Sequence, residues 1–351
     1  SPDFYQGVLT QLLYLLLALA AAQAIRSSRD LRRLSAIAVT AGTIVAAYGV
    51  LQYLGLDPID WGGMQFSAQR AFSTFGNPDF LAPYLVLVLG MAAGLALSAT
   101  TESGREAAWG AVALIAACIL CTSARGAWLG AVGVCAVFGT AVARQRIALT
   151  RDALIGLSVV VVLLAALMIA GARSGNTYKN VAGRIGSAAS LSDRNVTSRL
   201  EIWKTAVRLT ARRPLSGYGP DSFKLASMTA RDAALVSTTD PMAFPLDAHN
   251  ILLTYAATLG IPGVLAFLSL VTWVLLATRR HVVDDTPGTR GSPLVLGSWA
   301  GIVGYLIAAQ FDCTALGSSS VFWIVLGMLS ALSASTSRSK FGGALVAAVL
   351  L

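Results

Sequence analysis

Long apolar runs, interrupted by short polar segments, make up most of the chain. About 20 apolar residues cross a ~30 Å hydrocarbon core as a helix. On that length the pattern predicts spans at Val8–Ile25, Leu34–Leu54, Phe80–Ala99, Ala107–Thr122, Ala127–Ala143 and Ala153–Gly171. It predicts more at Ile251–Thr278, Leu294–Phe311 and Val321–Ser335, with Phe341–Leu351 as a further one. The stretch from Ala107 to Ala143 has to be divided. As one helix it would run about 55 Å at ~1.5 Å per residue, well beyond the core, so a tight turn is expected at Ser123-Ala124-Arg125-Gly126. The expected class is all-α, a polytopic transmembrane helical bundle of about nine to ten spans. It divides into residues 1–171 (six spans), a polar segment 172–249, and C-terminal membrane helices in 250–351.

Composition agrees. Of 351 residues, 56% are hydrophobic and 12% charged, about half the charged share of a soluble domain. Mean hydropathy is +0.69. An ordinary soluble enzyme and a disordered chain are excluded. The chain starts at Ser1 without Met and stops inside an apolar run, as expected of a fragment of a longer protein.

The net charge of +9 acquires meaning once it is assigned to sides. Alternate connections hold Arg26, Arg29, Arg32 and Arg33, then Arg105, then Arg144, Arg146 and Arg151, then Arg279, Arg280 and Arg290, then Arg338 and Lys340. The short connections between them hold Asp3, Asp57, Asp60, Arg70, Asp79, Arg125 and Asp312, an acidic set. The positive-inside rule puts the first set in the cytoplasm. Segment 172–249 is then extracytoplasmic, yet it has eleven basic and six acidic residues. Loops of that length are exempt from the rule, so the excess fits an anionic ligand at the outer face. Nucleic acid is not expected as a partner; membrane lipids are.

Within the loop, Gly171–Ser192 is rich in small polar residues and reads as a flexible connector. Ser198 and Glu201 have capping-box spacing. This places a helix start there, with Arg199 in the first turn and an apolar stripe of Leu200, Trp203, Val207 and Leu209. A helix N-terminus favours phosphate, and an arginine adds a planar, bidentate donor. Pro214 ends the helix, and Gly217-Tyr218-Gly219-Pro220 is a turn. His249, one of two histidines, sits where the loop re-enters the membrane. A neutral imidazole there would take a proton from a hydroxyl. Asn250 is a candidate N-cap. His281, in Arg279-Arg280-His281, reads as an interfacial anchor. Arg125 is the only basic residue between Arg105 and Arg144, and a cation at membrane depth usually faces a cavity. Arg125, Arg199 and His249 fall on the same side. Cys118, Cys121, Cys135 and Cys313 read as small apolar residues. No paired metal-ligand, P-loop or GxSxG motif occurs, so neither metal nor cofactor is expected.

Several segments together carry a resemblance. They are Phe75-Gly76-Asn77-Pro78-Asp79-Phe80, Ser123-Ala124-Arg125-Gly126-Ala127-Trp128, Arg199-Leu200-Glu201-Ile202-Trp203, Pro214-Leu215-Ser216-Gly217-Tyr218-Gly219-Pro220, His249-Asn250, and Leu259-Gly260-Ile261-Pro262-Gly263. In this order, around one large outer loop, they resemble the O-antigen ligase/polymerase family. The resemblance implies a GT-C-type membrane fold of the bacterial inner membrane. It implies a catalytic loop at 172–249 facing the periplasm. It also implies metal-independent, inverting transfer of a glycan from undecaprenyl pyrophosphate to a lipid A-core sugar (ligase) or to another repeat unit (polymerase). On it, Arg125 and Arg199 bind the pyrophosphate, His249 activates the acceptor, and Arg212, Arg213, Tyr218 and Asn250 contact substrate. Many relatives carry Glu before the glycine of the last segment; here Thr258-Leu259 precede Gly260, so no acidic helper is expected there. A transporter of the bicarbonate type is the alternative from another class. It predicts ionisable residues deep in several spans, which the sequence almost lacks.

Overall fold

The computed structural model describes residues 7–61, 70–144, 150–176, 180–187, 194–230, 245–282, 292–313 and 315–334. The expected tenth span at 341–351 lies outside them. The described residues form twelve α-helices and no strand. They are α1 (Val8–Ala24), α2 (Ser28–Tyr53), α3 (Pro78–Ser98), α4 (Glu102–Thr122), α5 (Arg125–Ala143) and α6 (Arg151–Arg173). Then follow α7 (Val181–Ser187), α8 (Arg194–Arg212), α9 (Phe223–Ala230), α10 (Ile251–Val282), α11 (Pro293–Ala308) and α12 (Leu316–Ala334). Six are long and apolar enough to cross a membrane, namely α2 to α6 and Ile251–Arg279 of α10. Three shorter apolar helices, α1, α11 and Leu316–Leu332 of α12, lie where the hydropathy pattern predicts further spans.

The starts are written locally. Asn77 caps α3 by accepting the Asp79 N–H at 2.8 Å, with Pro78 at the first helical position. Ser292 and Pro293 repeat the arrangement at α11. These are the residue types that satisfy the orphan N–H groups of a first turn or have none to satisfy. The expected turn between α4 and α5 is present. Ser123 is left-handed at φ +55° and ends α4, and Arg125 begins α5.

Helix α3 is central, and every residue from Leu81 to Ala92 is buried. Glycines let α11 press against it. A Cβ on Gly90 would lie 2.6 Å from the Gly297 carbonyl oxygen, and one on Gly297 would lie 2.5 Å from that of Gly90. Gly130 of α5 meets the Gly304 carbonyl of α11 in the same way. In lipid, where apolar side chains gain little by leaving the solvent, such close backbone approach is a main source of helix association. Helix α6 is peripheral, with Val159, Val161 and Val162 more than half exposed.

Helix ends group as the alternation requires. At one end Arg105 pairs with Asp152 at 2.9 Å, and Arg32 donates to the Ser98 carbonyl at 2.8 Å. At the other, the Ala71 N–H meets the Cys121 carbonyl at 3.0 Å and the Ile251 N–H that of Ala309 at 2.8 Å.

Four expectations are corrected. The connector is partly ordered: α7 forms within it, started by Asn180, whose side chain accepts the Gly183 N–H at 2.9 Å. Helix α8 begins at Arg194, not Ser198, so Arg199 lies in its second turn and Ser198 lies inside the helix. The buried stripe of α8 is Ile202, Thr205, Ala206 and Leu209, a face of true 3.6-residue period, whereas Val207 is 55% exposed. The predicted span at Ile251–Thr278 is also broken: Gly260 has φ +75° and ψ 178° inside α10.

Candidate active site

The break in α10 organises the outer corner. Interrupting a helix frees carbonyls on one side and an N–H on the other. The loop after α8 supplies the partners. Tyr218 N–H donates to the Ala257 carbonyl at 3.0 Å, and Gly219 N–H to that of Thr258 at 2.8 Å. Ile261 N–H donates in return to the Pro214 carbonyl at 2.8 Å. A small apolar core of Ile202, Ala206, Leu209, Phe223, Ala226 and Ala257 then fixes α8 and α9 against the first half of α10.

This clamp positions Arg199. Its guanidinium reaches Asp312 at 3.8 Å, with the arginine side chain 27% exposed and the aspartate 1%. Asp312 comes from the turn after α11, which folds back through its own N–H onto the Ala308 carbonyl at 3.1 Å. Trp203, one helical turn beyond Arg199, lies 6.2 Å from the Phe311 ring. Gly126 of α5 faces the same carboxylate: a Cβ there would sit 2.7 Å from Asp312 Oδ2. Arg125, the residue before it, therefore opens α5 beside Asp312. Arg184 of α7 donates to the Ser123 carbonyl at 3.0 Å, closing the turn that carries Arg125.

His249 completes the corner. It is left-handed at φ +48°, a conformation rare for side-chain-bearing residues although histidine is enriched in it. Its N–H donates to Asp247 Oδ1 at 2.9 Å, and the Ala248 N–H to Thr254 Oγ1 at 3.0 Å. Asn250 caps α10, accepting the Leu253 N–H at 2.9 Å, and its amide donates to the Gln310 carbonyl at 3.3 Å. The His249 ring lies against Cys313, with Nδ1 to Sγ at 2.9 Å. Burial pushes the Cys313 thiol well up, which favours its protonated form. The contact corrects the reading of Cys313 as an inert apolar residue; the turn after α11 brings it under the histidine. Cys118 and Cys121 are buried as expected.

Carboxylates belong to the same cluster. Asp79, in the first turn of α3, is salt-bridged to Arg70 at 2.5 Å. Burial, and then the neighbouring Asp79, push the Asp312 carboxyl well above the usual range against the pull of Arg199 and Arg70. The sequence reading counted Asp312 only as a charge in a short outer connection, and gave Asp79, within the segment of the resemblance from Phe75 to Phe80, no role. A carboxylate at the end of an apolar helix is itself a signal of function, and that signal would have found them.

Of the residues singled out in the sequence, the structure thus brings Arg199, His249 and Asn250 to one corner and starts α5 there with Arg125. Arg212 ends α8, about 20 Å along the helix from Arg199 at ~1.5 Å per residue, Arg213 follows it, and Tyr218 lies in the next loop, packed on the small core of α8 and α10. Arg212 donates to the Thr229 carbonyl at 2.9 Å, and Arg213 stacks on the Tyr218 ring at 4.7 Å. His281 contacts the Leu332 carbonyl at 3.3 Å, tying α10 to α12 away from this corner.

A corner holding two arginines, a histidine and buried carboxylates can bind an anion and move a proton. Residues 110–268 match a family model described as O-antigen ligase. The matched stretch contains Arg125, Arg199 and His249 and stops before Asp312 and Cys313. No curated protein matches the chain in sequence.

Proposed function

From the O-antigen ligase family assignment that this match supports, we propose that the chain is a membrane glycosyltransferase of the bacterial inner membrane. Its active corner faces the periplasm, and its donor is a glycan on undecaprenyl pyrophosphate. The family supports glycan transfer in a multi-pass membrane protein; the donor, the side and the mechanism are our reading. The observation that carries it is the meeting of Arg199 and His249 at the Asp312–Cys313 turn, on the side where α5 begins with Arg125.

The proposed step is a single displacement. The acceptor oxygen attacks the anomeric carbon from the face opposite the diphosphate. The new C–O bond forms as the bond to the diphosphate oxygen breaks, so the configuration inverts. The acceptor proton passes to the His249 imidazole. Negative charge grows on the departing diphosphate, where Arg125 and Arg199 stabilise it more in the transition state than in the ground state. Arginine supplies that charge without a metal, so transfer is expected to continue in excess chelator. Arg212, Arg213, Tyr218 and Asn250 are proposed to hold the substrate-contact region in shape, Asn250 nearest the chemistry.

The test is complementation of a knockout, with gel and mass analysis of surface glycans. Arg125→Ala, Arg199→Ala and His249→Ala should each abolish transfer at normal membrane abundance. Normal product from any one removes that residue from the mechanism. Loss of capped lipid identifies a ligase with a lipid A-core acceptor, and single-repeat capping a polymerase. An unchanged glycan with altered ion uptake replaces the enzyme by the transporter reading.

A further inference from the structure

Three residues of different types converge beside Arg199. Asp247, His249 and Cys313 each offer one ligand atom, and the three atoms lie within 4.8 Å of one another. They come from two distant pieces of chain, the end of the outer loop and the turn after α11. Both pieces are held by hydrogen bonds that do not involve the three ligand atoms as a set. Ala248 N–H is fixed on Thr254, Asn250 on Gln310, and Asp312 N–H on Ala308. The side chains therefore meet because of the fold around them, and Asp247 and His249 are further joined through the backbone N–H of the histidine.

The geometry points to a site for a soft divalent cation of the zinc class, held by Cys313 Sγ, a ring nitrogen of His249 and a carboxylate oxygen of Asp247. Thiolate plus imidazole is the donor set that selects such ions over magnesium or calcium. Zinc takes S at about 2.3 Å and N and O at about 2.0–2.2 Å in a tetrahedron, which separates neighbouring S and N ligands by about 3.5 Å. Cys313 Sγ lies 2.9 Å from Nδ1 and 3.9 Å from Nε2 of His249, so a small rotation of the ring brings it into range. Three protein ligands leave the fourth position open. The thiol proton is released on binding, because a coordinating thiol is deprotonated outright.

The site competes with the proposed chemistry, and this consequence rests on the proposed role of His249. A metal on Nδ1 uses that lone pair and leaves the ring proton on Nε2, so the ring has no nitrogen free to accept a proton. A metal on Nε2 blocks that nitrogen directly and draws the ring toward Cys313. In either case zinc inhibits transfer and a chelator restores it.

The test uses the whole chain in lipid nanodiscs, with zinc chloride titrated against a chromophoric chelator and cobalt chloride as a spectroscopic probe. One ion per chain is expected, with a thiolate-to-cobalt charge-transfer band in the near ultraviolet. Cys313→Ser should remove the band and weaken zinc at least about 100-fold, since losing even an outer-shell partner costs 10–100-fold. Cys135→Ser should change neither. No bound zinc in the wild type, or a cobalt band that survives Cys313→Ser, overturns the site. Glycan transfer is then measured with zinc, with magnesium and with chelator. Binding at Cys313 accompanied by zinc-insensitive transfer upholds the site and refutes the role of His249 instead.

Discussion

Gly217→Ala tests whether the clamp on the broken helix holds the active corner. Gly217 has φ +59°, and a Cβ there would meet the Thr258 backbone and lie 2.7 Å from the Gly260 nitrogen. Backbone cannot move aside as a side-chain tip can, so the loop must lift. The left-handed conformation costs alanine about 1–2 kcal/mol. Lifting the loop breaks Tyr218 N–H to Ala257 and Gly219 N–H to Thr258, each worth about 1 kcal/mol net. The sum is about 3–4 kcal/mol of local stability. At 1.4 kcal/mol per factor of ten, hydrogen exchange at the Tyr218 and Gly219 amides should accelerate roughly 100- to 1,000-fold. Gly219→Ala is the control. Its φ is +102° but nothing lies within 4 Å of the added carbon, so it carries conformational strain alone, about 1–2 kcal/mol and roughly tenfold in exchange. If Gly217→Ala leaves the two amides protected to within about threefold, or if Gly219→Ala matches it, close packing on the break is not what holds the loop.

Other expectations follow from the same structure. Asp312→Asn keeps the shape of a carboxyl that burial pushes up. Its thermal midpoint should stay near wild type while transfer at limiting donor falls at least about tenfold, the equivalent of about 1.4 kcal/mol of lost donor binding; a large fall in midpoint would mean that an ionised Asp312 is structural. Gly90→Val drives a side chain into the α11 backbone at Gly297 and Gly301, and should cost about 3 kcal/mol or more, seen as loss of the monodisperse peak on size exclusion; an unchanged peak and midpoint would show that the seam can yield. Asp57 gathers the Tyr48 hydroxyl, the Gln52 amide and the Trp61 indole N–H at 2.8–2.9 Å. Burial nudges its carboxyl up, but the Ile59 N–H and these three donors outweigh it, so it lies below the ordinary value. A depressed carboxyl contributes stability above about pH 4 and loses it as pH falls through its folded value. The Trp61 signal, taken as the difference between wild type and Trp61→Phe, should therefore change only below about pH 4, and a transition at pH 5 or above would contradict the assignment.

What was legible in the sequence was legible for physical reasons. The α4–α5 break follows from length, because the apolar stretch cannot fit the hydrocarbon core as one helix. Asn250 was readable as a cap because one side-chain oxygen and one N–H three residues on suffice for it. The segments around Gly217 and Gly260 could each be singled out, but that they hold one another depends on α8 lying across α10, which no local pattern encodes. Helix α8 begins at Arg194, a turn before its capping box, while the residues that pack it, Ile202, Ala206 and Leu209, lie in its later turns. Asp312 and Cys313 were missed for a different reason. Cys313 lies 64 residues from His249, in a turn whose charge looks like an ordinary connection until α11 brings it beneath the histidine.

The basic excess of the outer loop also changes meaning. Charge alone pointed to an anion spread over that surface. Yet Arg212 is bound to Thr229, Arg213 to the Tyr218 ring, Arg184 to Ser123, and Arg208 to its own helix at Lys204 and Thr205. Among the described residues, much of the excess therefore serves structure, and Arg199, with Arg125 nearby, is the loop cation that meets a buried carboxyl. Arg199 shares its carboxylate at 3.8 Å, a longer reach than a charge-assisted hydrogen bond of about 2.7–2.9 Å. On the proposed mechanism this looseness is useful. A tight, bidentate pair would have to be broken before a diphosphate could bind. A carboxyl that is easily protonated can sit beside the incoming anion as a neutral hydrogen-bond donor. Asp312 then has two roles in sequence: it holds Arg199 in place before the donor arrives, and it stops repelling once the donor is there. Asp312→Asn keeps the second role and weakens the first, so its defect should be in donor KM more than in kcat. A pure kcat defect would place Asp312 in the chemistry itself.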